Sequence, residues 1–214
     1  MPKQLTPARL DQLLTQSGHP PLAPETAEKF AAYLTLLQKW NARTNLTAIR
    51  DSEGILSRHF LESILCAHKL PQGIISLLDF GSGAGFPGIP IALIRPEIDV
   101  TLAESQNKKA AFLREALRTL FSESVLNAKV HSARAETLQM TFDCVTLRAV
   151  DNMSAAIPAA IQRLNPTGYL AILTTLEDTP AIQNQASQSA EFHWLPAESL
   201  QAETSRILLL GRRK

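Results

Sequence analysis

Residues 77–90 read LLDFGSGAGFPGIP. An apolar run closes on Asp79, and Gly81, Gly83, Gly85 and Gly88 then fall within eight positions of a chain that holds 9 glycines. No other feature restricts the fold as strongly. An apolar strand that runs into glycines and resumes as a helix near Pro87 is a strand–turn–helix unit. Glycine lets the main chain turn tightly and lets a ligand come close to it. In an open α/β sheet, ligands lie beyond the carboxyl ends of the strands, and the first strand-to-helix turn is a usual place for them. The stretch therefore reads as a nucleotide-like binding loop, with the free N–H groups of the following helix aimed at the same spot.

The remainder of the chain extends that unit. After IISLLDF, the runs DVTLAE, AKVHSA, FDCVTLRAV and YLAILTT read as strands. Helical patterns fall between them at 88–94, 107–121 and 154–164, and again at 179–190, while NPTG at 165–168 predicts a turn. Alternation of this kind implies a doubly wound, mostly parallel sheet. EFHWLP and RILLLGR have no helix between them and predict an antiparallel hairpin at the sheet edge. The first third is helical. One helix runs from the Thr6-Pro7 start to Gly18, a second over 25–42 carries the stripe Phe30, Tyr33, Leu34, Leu37 and Trp40, and a third spans about 52–68. Between the last two, NARTNLTAIR is a polar break. The expected organisation is an N-terminal helical segment, 1–70, packed on a single α/β domain, 71–214.

Composition narrows the function. With 21 basic and 20 acidic residues the net charge is +1, so any nucleic acid must be held by a local patch. The 2 cysteines, Cys66 and Cys144, form no metal or disulfide pattern, and a reducing, cytoplasmic setting is expected. No apolar leader opens the chain, and no uncharged run approaches the ~18 residues of a membrane span.

The glycines also limit the ligand. A dinucleotide fingerprint needs glycine where Phe86 stands, and a phosphate-binding P-loop needs a Gly-Lys-Ser/Thr that is absent. An NAD-dependent oxidoreductase is disfavoured on that ground. Glu104, at the end of the next strand, is placed to accept both hydroxyls of a ribose. A second acid beside the glycines, Asp79, suits a cofactor with a cationic portion. S-adenosylmethionine has both a ribose and a sulfonium.

Five stretches, NLTAIRD, RHFLES, LLDFGSGAGFPGIPIAL, LAESQNKKAAFLRE and FDCVTLRAV, together resemble the bacterial 16S rRNA guanine-N7 methyltransferase family (RsmG, glucose-inhibited division protein B). That family belongs to the class I S-adenosylmethionine-dependent methyltransferases. The resemblance covers about residues 30–173 and implies a Rossmann-like methyltransferase sheet. It implies that Gly81, Gly83 and Gly85 face the methionine and ribose of the cofactor, that Phe86 flanks the pocket, and that Ala135 and Glu136 hold the adenine. Arg148 would lie where cofactor and substrate meet, as the catalytic residue. The substrate implied is a guanine in 16S rRNA of the small ribosomal subunit, and a monomer is expected.

The bare residues leave alternatives open. Glu136 is also an ordinary first-turn acid of a helix. Arg148 could instead pair with Asp143 or Asp151. Lys108 and Lys109 suit either phosphates or a solvated helix face. His59 and His68 read as helix-surface residues, and Trp40 and Trp194 as packing. Arg43, Arg50, Arg58, Arg134, Arg212, Arg213 and Lys214 are candidate phosphate contacts. Two departures from the family stand out: Thr174-Thr175 replaces the usual Lys-Gly, and Glu62 replaces Asp. The first keeps open a methyltransferase-like binding protein without catalysis.

Overall fold

Along the central strands, successive side chains enter two different cores. Leu77 joins one cluster and Leu78 the other, and the same alternation runs through Leu170 to Leu173 and Ile207 to Leu210. A strand points alternate side chains to opposite faces, and burial on both faces is what helices packed on each side of a sheet produce. The computed structural model describes residues 5–122, 127–150, 152–201 and 204–214. Its sheet contains β1 (Ser76–Phe80), β2 (Asp99–Ala103), β3 (Ala128–His131), β4 (Phe142–Arg148) and β5 (Leu164–Thr175). The remaining strands are β6 (Phe192–Trp194), β7 (Glu198–Ser199) and β8 (Arg206–Arg213). The order is β3-β2-β1-β4-β5-β8-β6, with β7 also paired to β8. Strands β1 to β5 are parallel, and β8 runs antiparallel to β5 and to β6. The strand order reverses beside β1, which makes the carboxyl ends of β1 and β4 the switch point.

One face of the sheet is covered by α1 (Leu5–Gln16), α2 (Pro24–Asn41), α4 (Glu62–Lys69), α5 (Gly88–Ile94) and α6 (Asn107–Leu120), which share a core with Leu77, Cys144 and Leu208. The other face is covered by α7 (Met153–Ile161) and α8 (Thr179–Ser187), against Val145, Leu147 and Ile172. Phe30, Tyr33 and Leu37 of α2 are fully buried, as the helical stripe predicts. Trp40 packs on Phe112 and donates to Glu115, and Trp194 stacks on Phe192. No helix among the described residues is long and apolar enough to cross a membrane.

Three local readings change. The NPTG segment lies within β5 rather than in a separate turn, and the β4–β5 register shifts between Phe142 and Cys144 to accommodate it. Gly168 permits that contact, because a Cβ there would lie 3.1 Å from the carbonyl oxygens of Phe142 and Asp143. The two-residue β7, Glu198–Ser199, carries no apolar run that would mark it as a strand. The third helix is also not uniform. A short turn, α3 (Ser52–Gly54), is followed by a π-helical stretch, Ile55–Leu61, before α4 begins. π-Turns of this kind are frequent at functional sites.

Candidate active site

The loop after β1 is shaped by its own backbone. Gly81, Gly83 and Gly85 have φ of 74°, 57° and 88°, the left-handed region that favours glycine. The Ser82 N–H donates to the Ala103 carbonyl at 2.9 Å, which ties the loop to β2. The Gly83 N–H donates to the Glu104 carboxylate at 3.0 Å, and the Gln106 N–H donates to the other carboxylate oxygen at 2.7 Å. Glu104 is 7% exposed and is held from below by these two bonds. A carboxylate offers about four lone-pair sites. These bonds leave two unused on a residue that lines the cleft, the number a pair of vicinal hydroxyls needs.

That cleft has a volume of about 900 Å³ and lies at the carboxyl ends of β1, β2 and β4. Gly81, Gly83, Phe86, Glu104, Ala135, Glu136 and Arg148 all line it. Seven of the residues expected at the site are thus brought together from four separate segments. Asp79 and Gly85 lie beneath the loop instead. The Asp79 carboxylate accepts from the Gly88 N–H at 3.2 Å and from Thr146 Oγ1 at 2.8 Å. Burial pushes its carboxyl up to about 6, against those two bonds. A Cβ on Gly85 would lie 2.6 Å from Tyr33 Oη, which donates to the Ala84 carbonyl. The loop is thereby braced by α2. The N–H groups of α5 are used in the same way: Gly88 serves Asp79, and Ile89 donates to Gly85. They point under the loop, not at the cleft as its sequence suggests, because a buried carboxylate needs donors more than an open cleft does.

Arg148, at the end of β4, does not pair with Asp143, which sits at the opposite end of that strand and accepts from the Ile75 and Ser76 N–H groups. Asp151 lies outside the described residues. The partner of Arg148 is Glu62, at 2.9 Å, with the two side chains 6% and 0% exposed. Arg148 also donates to Ser63 Oγ at 3.2 Å, to His59 Nδ1 at 3.2 Å and to the Arg58 carbonyl. Burial lowers the Arg148 guanidinium from its ordinary value, and Glu62 opposes that. The π-helical stretch thus presents one backbone oxygen and the His59 side chain to the end of β4, and the first turn of α4 adds Glu62 and Ser63. Ala149 follows with φ 47°, a conformation rare outside glycine, and turns the chain at the cleft.

His59 is not a plain surface residue. It lines the cleft and stacks on Phe86, with ring centroids 4.6 Å apart. Because Nδ1 accepts from Arg148, the ring proton is on Nε2, which meets Thr47 Oγ1 at 2.7 Å. Burial, followed by the charges of Arg148 and Arg58, pushes its pKa down to about 3. His59 is therefore a neutral, fixed wall of the cleft. Arg206, at the start of β8, is a further cleft residue with no sequence signal of its own.

The candidate phosphate contacts separate into two groups. Arg58, Arg134 and Lys109 line the cleft, and Lys108 is exposed beside it. Arg43 and Arg50 are exposed on the segment that leads to the cleft wall. Arg212, Arg213 and Lys214 lie at the other end of the sheet, because β8 runs antiparallel and pairs Arg206 with Thr175 but Arg212 with Tyr169. Arg213 donates there to the Ile161 and Leu164 carbonyls, and Lys214 pairs with Glu191. Thr174 and Thr175 turn their hydroxyls to Asp178 and stay out of the cleft.

A sheet of this order, with an antiparallel strand next to β5 and a glycine turn facing an acid on β2, defines a class I methyltransferase fold. Solved structures agree at the level of fold. The ribosomal protein L11 methylase from Lactobacillus delbrueckii subsp. bulgaricus superposes with a TM-score of 0.56 at 14% identity, covering 72% of this chain and 77% of that one. P. horikoshii TYW2 in complex with MeSAdo gives 0.55 at 13% identity, covering 72% and 62%. The family is narrower: the family model of GidB, rRNA small subunit methyltransferase G, matches residues 26–205, and the chain belongs to that family. Ribosomal RNA small subunit methyltransferase G of Halorhodospira halophila is 37% identical over 92% of this chain and 91% of its own length. The protein of the same name from Xanthomonas campestris pv. campestris is 40% identical over 79% and 77%. That from Roseiflexus sp. is 47% identical over a shorter stretch, 59% of this chain and 56% of that protein.

Proposed function

We propose that this protein transfers the methyl group of S-adenosylmethionine to N7 of a guanine in 16S rRNA of the small ribosomal subunit. Family membership supports the rRNA methyltransferase reaction, and one observation ties it to this chain's own residues. At Gly83, which faces the cleft, an added Cβ would meet nothing nearer than the Gly81 carbonyl at 3.9 Å, while Glu104 is anchored immediately beside it. That is a cradle of bare main chain next to a diol acceptor, and it fits the cofactor. Glu104 would take the ribose hydroxyls, Gly81 and Gly83 would lie against the methionine and ribose, and Ala135 with Glu136 would border the adenine.

S-adenosylmethionine supplies an electrophilic methyl group on a positively charged sulfur. The residues of the cleft supply position. Guanine N7 carries a lone pair and no proton, so the reaction needs no general base. His59 is consistent with that, since its ring is neutral and both nitrogens are already committed to Arg148 and Thr47. Arg148 is locked by Glu62, Ser63 and the Arg58 carbonyl, and its guanidinium carbon stands 6.0 Å from the centre of the Phe86 ring. Its role in the reaction is to hold the Phe86–His59 wall and to set the field at the meeting of cofactor and base. Positioning and a preorganised field account for large rate enhancements where no proton must move. The test is nucleoside mass spectrometry of 16S rRNA from a strain that lacks the gene. A 7-methylguanine should vanish and return on complementation. Persistence of every 7-methylguanine in the deletion strain excludes the reaction.

A further inference from the structure

Glu62 collects more positive charge than it can balance. Its fully buried carboxylate takes Arg148 at 2.9 Å on one oxygen, and on the other it takes Arg58 at 3.2 Å and Arg206 at 3.7 Å. Three guanidinium groups surround one carboxylate. Arg148 is spent on protein acceptors. Arg58 and Arg206 each direct Nε to the same Glu62 oxygen. Among the described residues no protein acceptor takes an N–H from their terminal nitrogens, since the contact with the carboxylate they share is made by Nε. Their side chains are 47% and 23% exposed, and both residues line the cleft. One comes from the π-helical stretch and the other from β8, so two unrelated elements bring their forks side by side.

We propose that Arg58 and Arg206 form an oxyanion site that takes a backbone phosphate of the RNA next to the target nucleotide, with Glu62 as the buried post that aims both forks. The inference rests on the methyltransferase reading of the cleft for the identity of its anion. A guanidinium fork matches the two free oxygens of a phosphodiester, and two forks side by side match it from both sides. The excess charge draws an anion, and Glu62 keeps the arginines from folding onto one another or into solvent. A phosphate held there fixes the strand at the cleft mouth, so that the base can turn inward toward the cofactor. The methionine carboxylate of S-adenosylmethionine is the other oxyanion to be distinguished, because Arg58 and Arg206 line the same cleft as the glycine loop.

The test uses the full chain, with Arg58→Gln, Arg206→Gln and the charge-keeping Arg58→Lys. A control, Lys29→Gln, removes one positive charge from the exposed Lys29–Glu25 pair on α2. Binding to purified small ribosomal subunits is measured across a salt series, and S-adenosylmethionine binding by calorimetric titration. Each glutamine variant should bind subunits about tenfold more weakly and lose roughly 0.7–0.9 from the slope of log affinity against log salt. Arg58→Lys should keep the slope, the control should match wild type, and cofactor affinity should stay within twofold throughout. Loss of cofactor affinity in the glutamine variants assigns the site to the methionine carboxylate and overturns the proposal. Unchanged subunit binding and salt slope overturn it as well. Methyl transfer by the wild-type protein is read in the same samples: binding that follows the proposal without transfer refutes the proposed reaction and leaves the phosphate site standing.

Discussion

Replacing Gly83 by alanine separates a ligand cradle from a mere turn. Gly83 has φ 57°, so alanine there carries left-handed strain of about 1–2 kcal/mol. Part of this is offset by the smaller freedom of alanine in the unfolded chain, about 0.4–1 kcal/mol. No steric cost adds to it, since the new methyl meets nothing within ordinary contact distance except the Gly81 carbonyl at 3.9 Å. Stability should therefore fall by only about 1 kcal/mol. The methyl would instead occupy space that the cofactor needs, and overpacking of that kind costs about 1–3 kcal/mol, or roughly 5–150-fold in affinity. Gly88→Ala makes the contrast. There a Cβ would lie 2.7 Å from Asp79 Oδ2 and against Leu102, beneath the loop, so the same 1–3 kcal/mol should appear in folding. Urea unfolding and calorimetric titration with S-adenosylmethionine read the two quantities. A Gly83→Ala protein that binds the cofactor as wild type does would show that the bare backbone at this position faces no ligand.

Glu104→Gln should weaken S-adenosylmethionine binding by about 1.5–3 kcal/mol in the same titration, because the amide loses a charged acceptor for the ribose and sets a donor against the Gly83 or Gln106 N–H; an unchanged affinity removes the ribose role. Glu62→Gln should destabilise the fold by about 3–5 kcal/mol, since Arg148, Arg58 and Arg206 lose their shared counter-charge. Arg148→Ala should cost less in the same urea series, because Glu62 keeps two arginines; the reverse order contradicts the assignment of Glu62 as the centre of the cluster. Asp79 gives a pH signature. Its folded pKa is raised from 3.8 to about 6, so the folded chain holds the proton more tightly than the unfolded one. The stability it contributes is complete below about pH 3.8 and is lost as pH rises through about 6. Wild type should therefore lose about 2 kcal/mol relative to Asp79→Asn between pH 4 and pH 7, and a difference that does not change with pH refutes the shift.

What could be read from the sequence was what local patterns carry. The glycine loop, the short apolar strands and the acid that follows β2 are each signalled within a few residues of their own position, and each falls where expected. The turn at 165–168 misled because its local Asn-Pro-Thr-Gly chemistry is overridden by β4, which recruits it into the sheet. The spacing of Asp79 and Gly85 places them in the loop and suggests that they face the ligand; which side of the loop they face depends on Tyr33 and Thr146, both remote in sequence. Arg206 carries no signal of its own, and RHFLES marks His59 and Glu62 as part of a motif without saying what they face. Glu62 is surrounded by arginines from the π-helical stretch, β4 and β8, and only the folded sheet brings those together. The separation of Arg58 from Arg212 likewise follows from the antiparallel direction of β8, which composition does not record.

The most direct measurement of the central claim is reconstitution with purified components. Small ribosomal subunits from a strain lacking the gene are incubated with this protein and S-adenosylmethionine labelled in the methyl group, and the 16S rRNA is digested and mapped. Label should appear at N7 of one guanine, and Gly83→Ala should lose most of it at limiting cofactor. Label on a different atom, or none with wild-type protein that binds both cofactor and subunit, contradicts the account.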